Sequence, residues 1–142
     1  MESRPKIIVE NLSFYYGNRP VLKDISTQIL EHNATAIVGP SGQGKSTLGK
    51  ILAGYLTPLS GSVYTGTKPL ATRGACPVQL LFQHPELAIN PRWKVKKVLS
   101  EGYTPSSEML HDFGVHPEWL NRYPHELSGG ELARIAIVRA LG

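Results

Sequence analysis

Residues 34–55 read ATAIVGPSGQGKSTLGKILAGY. Ala34–Val38 is a short, continuously apolar run, the pattern of a strand buried on both faces of a parallel sheet. It passes straight into Gly39-Pro40-Ser41-Gly42-Gln43-Gly44-Lys45-Ser46-Thr47. Lys45–Tyr55 then places Leu48, Ile51 and Leu52 on one face of a predicted helix. The order of strand, glycine-rich turn and helix fits G-x-x-x-x-G-K-[ST] without a mismatch. The glycines let backbone N–H groups curl around phosphate oxygens, where a Cβ would obstruct. The helix N-terminus adds its partial positive charge. Lys45 supplies a mobile cation to β- and γ-phosphates, and the Ser46 hydroxyl is the expected Mg2+ ligand. The bland alternative is an ordinary glycine-rich strand-to-helix turn; the complete motif in its required context outweighs it.

Alone, this segment means a P-loop NTPase or kinase. Upstream, Lys6–Phe14 and Val21–Ile29 read as strands, the second with Val21, Ile25 and Ile29 on one face. Gly17-Asn18-Arg19-Pro20 is a turn signal between them, so an antiparallel pair is expected. Downstream, Leu59–Gly66 reads as turn, strand, turn, and Val78–Phe82 as a second buried strand. The character changes from Asn90. Val95, Val98 and Leu99 have helical spacing, a helix is expected over Ser106–Phe113, and some helix around Pro117–Asn121. Ser128–Leu141 reads as a helix opened by a Ser128/Glu131 capping box. Its body, LARIAIVRAL, is apolar on nearly all sides except Arg134 and Arg139, the mark of a buried helix.

Composition narrows the function classes. The chain has 142 residues, 41% of them apolar, with 15 Lys+Arg against 11 Asp+Glu and a formal charge of +4. That balance is globular. The charge permits an anionic ligand and demands none. One cysteine, Cys76, excludes an internal disulfide framework and reads as a small apolar side chain. A reducing, cytoplasmic setting fits it. No run approaches the length of a membrane span, and the N-terminus lacks the apolar core of a secretory signal. The five histidines are scattered, and His111 and His116 lack metal-ligand spacing. The basic run Arg92–Lys97 has three readings: a solvated helix face, a contact with a membrane subunit, or a nucleic-acid contact.

Further motifs carry a resemblance. Leu127-Ser128-Gly129-Gly130-Glu131 and the helix after it closely resemble the LSGGQ signature of ABC-type ATPases. Leu81-Phe82-Gln83-His84-Pro85 followed by Asn90-Pro91-Arg92 looks like that family's Q-loop. Tyr16-Gly17 and Val21–Ser26 match its start, and Gly54, Pro58, Ser60-Gly61 and Gly66 match the passage after its first helix. The resemblance runs from about residue 7 to the end of the chain. Within the family, FQ-x-P…NPR and RYPHELSGG look most like the ATPases of peptide/nickel-type bacterial importers.

The resemblance implies an α/β fold: a P-loop ABC-type ATPase domain with an antiparallel β subdomain, a partial RecA-like core and a helical subdomain. The expected divisions are about 1–88 for the β subdomain and P-loop core, about 89–127 for the helical subdomain, and 128–142 for the signature helix. It implies ATP and Mg2+ as cofactors. Tyr16 stacks on adenine, with Tyr15 as its rival. Gly39, Ser41, Gly42, Gln43, Gly44, Lys45, Ser46 and Thr47 hold the phosphates. Lys45 and Gln83 are the catalytic candidates, and Ser46 and Gln83 the Mg2+ ligands. Ser128, Gly129, Gly130 and Glu131 meet the γ-phosphate held by a second protomer. The implied partners are that protomer, identical or paralogous, and transmembrane permease subunits; no nucleic acid is expected. The implied role is an ATP-binding, and in the full-length parent ATP-hydrolysing, subunit driving solute import. It would sit in the cytoplasm against the inner face of the membrane. Two alternatives remain: a catalytically incomplete nucleotide-binding fragment, and a soluble ABC-type ATPase acting outside transport.

This sequence departs from the family pattern in two places. Glu131 stands where glutamine is usual. The chain also stops at Gly142, before the family's Walker B strand, catalytic glutamate, D-loop and switch histidine, so no residue is assigned those roles. The expectation is a truncated domain, a piece of a longer ATPase, in which Ala34–Val38 has an unpaired apolar edge.

Overall fold

A two-residue turn at Gly17-Asn18 joins the first two strands of the sheet in the computed structural model, which describes residues 5–70 and 76–141. Strand β1 (Pro5–Tyr16) pairs antiparallel with β2 (Arg19–Leu30), as the alternating runs predict. Strands β3 (Ser60–Thr65) and β4 (Lys68–Pro69) follow helix α1 (Lys45–Leu52). Among the described residues the sheet has four strands in the order β2-β1-β3-β4, every pairing antiparallel.

The β1–β2 pairing departs from simple alternation, and the departures decide which side chains face inward. Val9 pairs with Thr27 and Leu12 with Ile25, so β1 carries one extra residue between them. Asn11 takes up that residue with φ 47°, a left-handed conformation that asparagine tolerates, and its N–H donates to Ser26 Oγ at 2.9 Å. Two residues on, Phe14 pairs with Leu22, so β2 now carries an extra residue. Asp24 absorbs it at φ 51°, its N–H donating to Ser13 Oγ at 3.0 Å. Each of these two bulges is thus closed by a hydroxyl from the opposite strand. Strict alternation from Ile7 and Val9 would bring Tyr15 to the core face. The Asn11 bulge instead brings Leu12 and Phe14 inward, with Tyr16 at the end of that face. On β2 the most buried residue is Leu22, while Val21, Ile25 and Ile29 pack around it half-buried.

The chain divides into two units, residues 1–80 and 81–142. In the first, Val9, Leu12, Phe14, Leu22 and Val63 from the sheet pack on Leu48, Ile51 and Leu52 of α1. These are the α1 residues that helical spacing places on one face. The helix ends at Leu52, not Tyr55, with the Ala53 N–H still donating to Gly49.

In the second unit, α2 (Val95–Leu99), α3 (Ser107–Asp112) and α4 (Gly129–Ala140) surround a core of their own. Val95, Val98, Leu99, Trp119, Leu132, Ile135 and Val138 are buried there. Helix α4 buries one stripe, Leu132, Ile135 and Val138, and not its whole circumference. Tyr103 Oη donates to the Val138 carbonyl at 2.6 Å. Arg139 holds the far end of α4: Nη1 donates to the Ala88 carbonyl at 2.6 Å and Nη2 pairs with Glu101 at 2.7 Å. The segments around 117–121 and 124–126 are 3-10 turns opened by proline.

Two expected strands are not formed. Ala34–Val38 and Val78–Phe82 are irregular, and Val38 is 87% exposed. A continuously apolar run states only that a segment suits burial. A parallel strand also needs neighbouring backbone to bond on its flanks and helices to cover its faces. Among the described residues, no strand pairs with either segment.

Candidate functional site

The apolar face of α1, fixed on the sheet, holds the helix N-terminus in place and with it the loop 39–44. Gly39, Gly42 and Gly44 adopt φ values of 151°, 82° and 88°, which L side chains rarely enter. Gly44 is constrained twice, because a Cβ there would lie 2.8 Å from Leu22 Cδ2 and 3.0 Å from the Val21 carbonyl. The loop therefore lies against β2. Gly44 is also the N-cap of α1 and has no side chain to satisfy the first-turn N–H groups. No acidic residue occupies that first turn, so the positive end of the helix is left uncompensated.

Lys45 bridges back over the loop. Its Nζ donates to the Gly39 carbonyl at 2.7 Å and the Pro40 carbonyl at 2.6 Å. The Gln43 side-chain amide lies against Gly39, where Oε1 would be 2.9 Å from an added Cβ. Thr47 is buried, and Ser46 is exposed beside it.

These residues line an open cavity of about 480 Å3. Ser41, Gly42, Gly44, Lys45, Ser46 and Thr47 form one part of its wall, and Tyr16, Arg19, Pro20 and Val21 from the β1–β2 hairpin form the rest. Tyr16 is 51% exposed and meets Phe14 edge-on, ring centroids 5.0 Å apart at 84°. Tyr15 does not contribute to this wall. Arg19 was not expected from the sequence; only its place in a turn signal marked it. The lining carries two cations, Lys45 and Arg19, and no carboxylate among the described residues. A cradle of glycines, a bare helix N-terminus, two cations and an exposed aromatic ring fit the phosphates and base of a nucleotide. The Ser46 hydroxyl, next to Lys45 on the first helical turn, is an oxygen donor of the kind a hard cation takes.

The other expected residues belong to the second unit. Gln83 sits in an exposed bend and not at a strand end. Ser128, Gly129 and Gly130 are exposed at the start of α4. The capping box is formed: Glu131 Oε2 accepts from the Ser128 N–H at 2.6 Å, and Ser128 Oγ accepts from the Glu131 N–H at 3.4 Å. The Ser128 N–H holds the Glu131 carboxyl below the usual glutamate range, helped by the Ser128 hydroxyl and, more weakly, by Arg122 and His116. A Cβ on Gly129 or Gly130 would meet nothing within 4 Å, and neither has positive φ. Neither packing nor backbone conformation within the unit requires glycine at these positions. Glycine in a helix nevertheless costs about 0.5–1 kcal/mol relative to alanine.

A family model described as ABC transporter matches residues 22–142. The dipeptide transport ATP-binding protein DppF of Lactococcus lactis is 31% identical, the alignment covering 98% of this chain and 54% of DppF. The protein of the same name in Haemophilus influenzae is 33% identical over 84% of this chain and 42% of its own length. Among solved structures, CbiO1 of Clostridium perfringens, part of the ABC transporter complex cbiONQ, superposes with a TM-score of 0.74 at 28% identity. That match covers 99% of this chain and 62% of CbiO1. The chain spans about half the length of the curated relatives it matches.

Proposed function

We propose a function from one premise: the chain belongs to the ABC transporter family, whose ATPase fold implies nucleotide binding. In this reading it is the ATP-binding part of a subunit that powers peptide or other solute import. The observation that carries it is the cavity lined both by Tyr16 and by Ser41, Gly42, Gly44, Lys45, Ser46 and Thr47. Tyr16 offers a π-face to adenine at one side. The loop amides and the α1 N-terminus take the phosphates at the other. Lys45 leaves the Gly39 and Pro40 carbonyls and moves to the β- and γ-phosphates. Ser46 would hold Mg2+, which would supply further positive charge against those phosphates.

The signature Ser128-Gly129-Gly130-Glu131 is proposed to face the nucleotide of a second protomer. Two glycines with no local reason to be glycine leave an exposed, capped helix start with little side-chain bulk, which another molecule can approach closely. The permease subunits of an importer are the proposed membrane partners. The chain would then lie against the inner face of the membrane; among the described residues no helix is long and apolar enough to cross one.

The test is calorimetric titration of the chain with MgATP, wild type beside Lys45→Ala. Wild-type binding that the substitution weakens at least tenfold supports the reading. Equal binding by both overturns it.

A further inference from the structure

Arg19 is the first residue of β2 and pairs in register with Tyr16, the last residue of β1, across the Gly17-Asn18 turn. Both side chains line the cavity that holds Lys45 and Ser46. Arg19 is exposed, and among the described residues no carboxylate or carbonyl engages its guanidinium. Pro20 follows it, which restricts Arg19 to extended backbone and keeps it on the strand. The cavity wall offers it no anion, although Asp24 and Glu31 lie on or just beyond the same strand.

An always-charged planar fork of donors therefore stands beside the aromatic ring, on the same wall as a phosphate cradle. The cradle's own cation, Lys45, stands at the helix end. Arg19 stands at the hairpin end. A nucleotide spanning the two carries its first phosphate nearest the base, hence nearest the hairpin.

We infer that Arg19 is a second phosphate-binding cation of this site, contacting the nucleotide's α-phosphate, the phosphate that Lys45 does not serve. The inference rests on the nucleotide reading proposed for this cavity. It assigns Arg19 a part that does not depend on the terminal phosphate. Arg19 thus contributes equally to a nucleoside triphosphate and a diphosphate, whereas Lys45 favours the triphosphate. The guanidinium matches two phosphate oxygens at once, so lysine at this position restores the charge and only part of the affinity.

The experiment is calorimetry of the full chain with MgATP and with MgADP, for wild type, Arg19→Ala, Arg19→Lys, Lys45→Ala and Lys23→Ala. Lys23 is an exposed cation on the same strand outside the cavity lining, so it controls for net charge. Arg19→Ala is expected to weaken both nucleotides about tenfold, with the ATP/ADP ratio unchanged. Arg19→Lys is expected to lie between. Lys23→Ala is expected to stay within about twofold of wild type, since an exposed charge away from the ligand is screened. Thermal unfolding of each variant checks that the hairpin is intact.

Arg19→Ala binding both nucleotides like wild type, while Lys45→Ala fails, would overturn the Arg19 assignment and leave the nucleotide reading standing. An equal loss in Lys23→Ala would also overturn it, because the effect would then belong to the general field. A wild-type chain that binds neither nucleotide overturns the assignment and the reading together.

Discussion

The ammonium of Lys45 donates to the carbonyl oxygen of Gly39 at 2.7 Å, joining the first residue of the glycine-rich loop to the first residue of helix α1. With a second bond to the Pro40 carbonyl at 2.6 Å, the lysine spans the mouth of the cradle it is expected to serve. An anion bound in the cradle would replace these carbonyl partners with charged oxygens.

The first prediction concerns that exchange. Lys45→Ala removes a cation but no packing, since the core face of α1 is made by Leu48, Ile51 and Leu52. MgATP affinity is expected to fall about tenfold or more. The unfolding temperature is expected to stay close to that of wild type, as measured by calorimetric melting.

Tyr16 and Tyr15 separate cleanly. Tyr16→Ala takes away the exposed ring in the cavity wall, and a lost base–aromatic stack weakens ATP binding by about 1–3 kcal/mol. Tyr15→Ala leaves ATP affinity unchanged within about twofold, because its ring lies outside that wall. Fluorescence titration of the two variants with one nucleotide decides between them. The reverse order of effects would reassign the base to Tyr15.

Gly61 tests the sheet. It sits in β3 at φ 84°, and a Cβ there would collide with the Glu10 and Asn11 carbonyl oxygens at the β1 bulge. Gly61→Ala is expected to destabilise the chain by about 1–3 kcal/mol, read from denaturant unfolding. Gly129→Ala, where a Cβ meets open space, is the contrasting variant and is expected to leave stability equal or slightly higher.

Glu131 makes the α4 cap dependent on pH. Its folded carboxyl titrates below the usual glutamate range, so the ionised form is the one the cap stabilises. That contribution is present above the unfolded glutamate value and is lost as pH falls through the lower folded value. Following the Ser128 amide resonance through acid titration should show it shift in that window. In Glu131→Gln the shift should vanish while α4 remains helical. A resonance that moves identically in both would remove Glu131 as its cause.

Local chemistry was the most legible part of the sequence. The loop 39–46, the α1 face, the Ser128/Glu131 box and the β1–β2 pair all follow from short-range rules. What the sequence left open depended on counting or on distant partners. Tyr15 and Tyr16 could not be separated because the answer turns on a bulge at Asn11, and an asparagine within a strand-like run does not announce one. Arg19 lay inside a turn signal that explained it sufficiently by itself. The failed strands, Ala34–Val38 and Val78–Phe82, are apolar enough to pair, but pairing is decided by backbone elsewhere. For the same reason α4 buries one stripe where its composition suggested burial all round.

The bulges at Asn11 and Asp24 behave as a parity code. Asn11 adds one to the count along β1, Asp24 adds one along β2, and between Val9 and Phe14 the sums cancel. A lineage that straightened the strand at position 11 without deleting a residue would turn Leu12 and Phe14 outward and exchange Tyr16 for Tyr15 at the cavity, without altering a residue of the loop 39–46. Deleting Asn11 outright would instead keep Leu12, Phe14 and Tyr16 on one face, because the residue removed is the one the bulge accommodates. Whether the hairpin keeps its bulge is therefore a heritable choice of which tyrosine reaches the cavity, made from a distance.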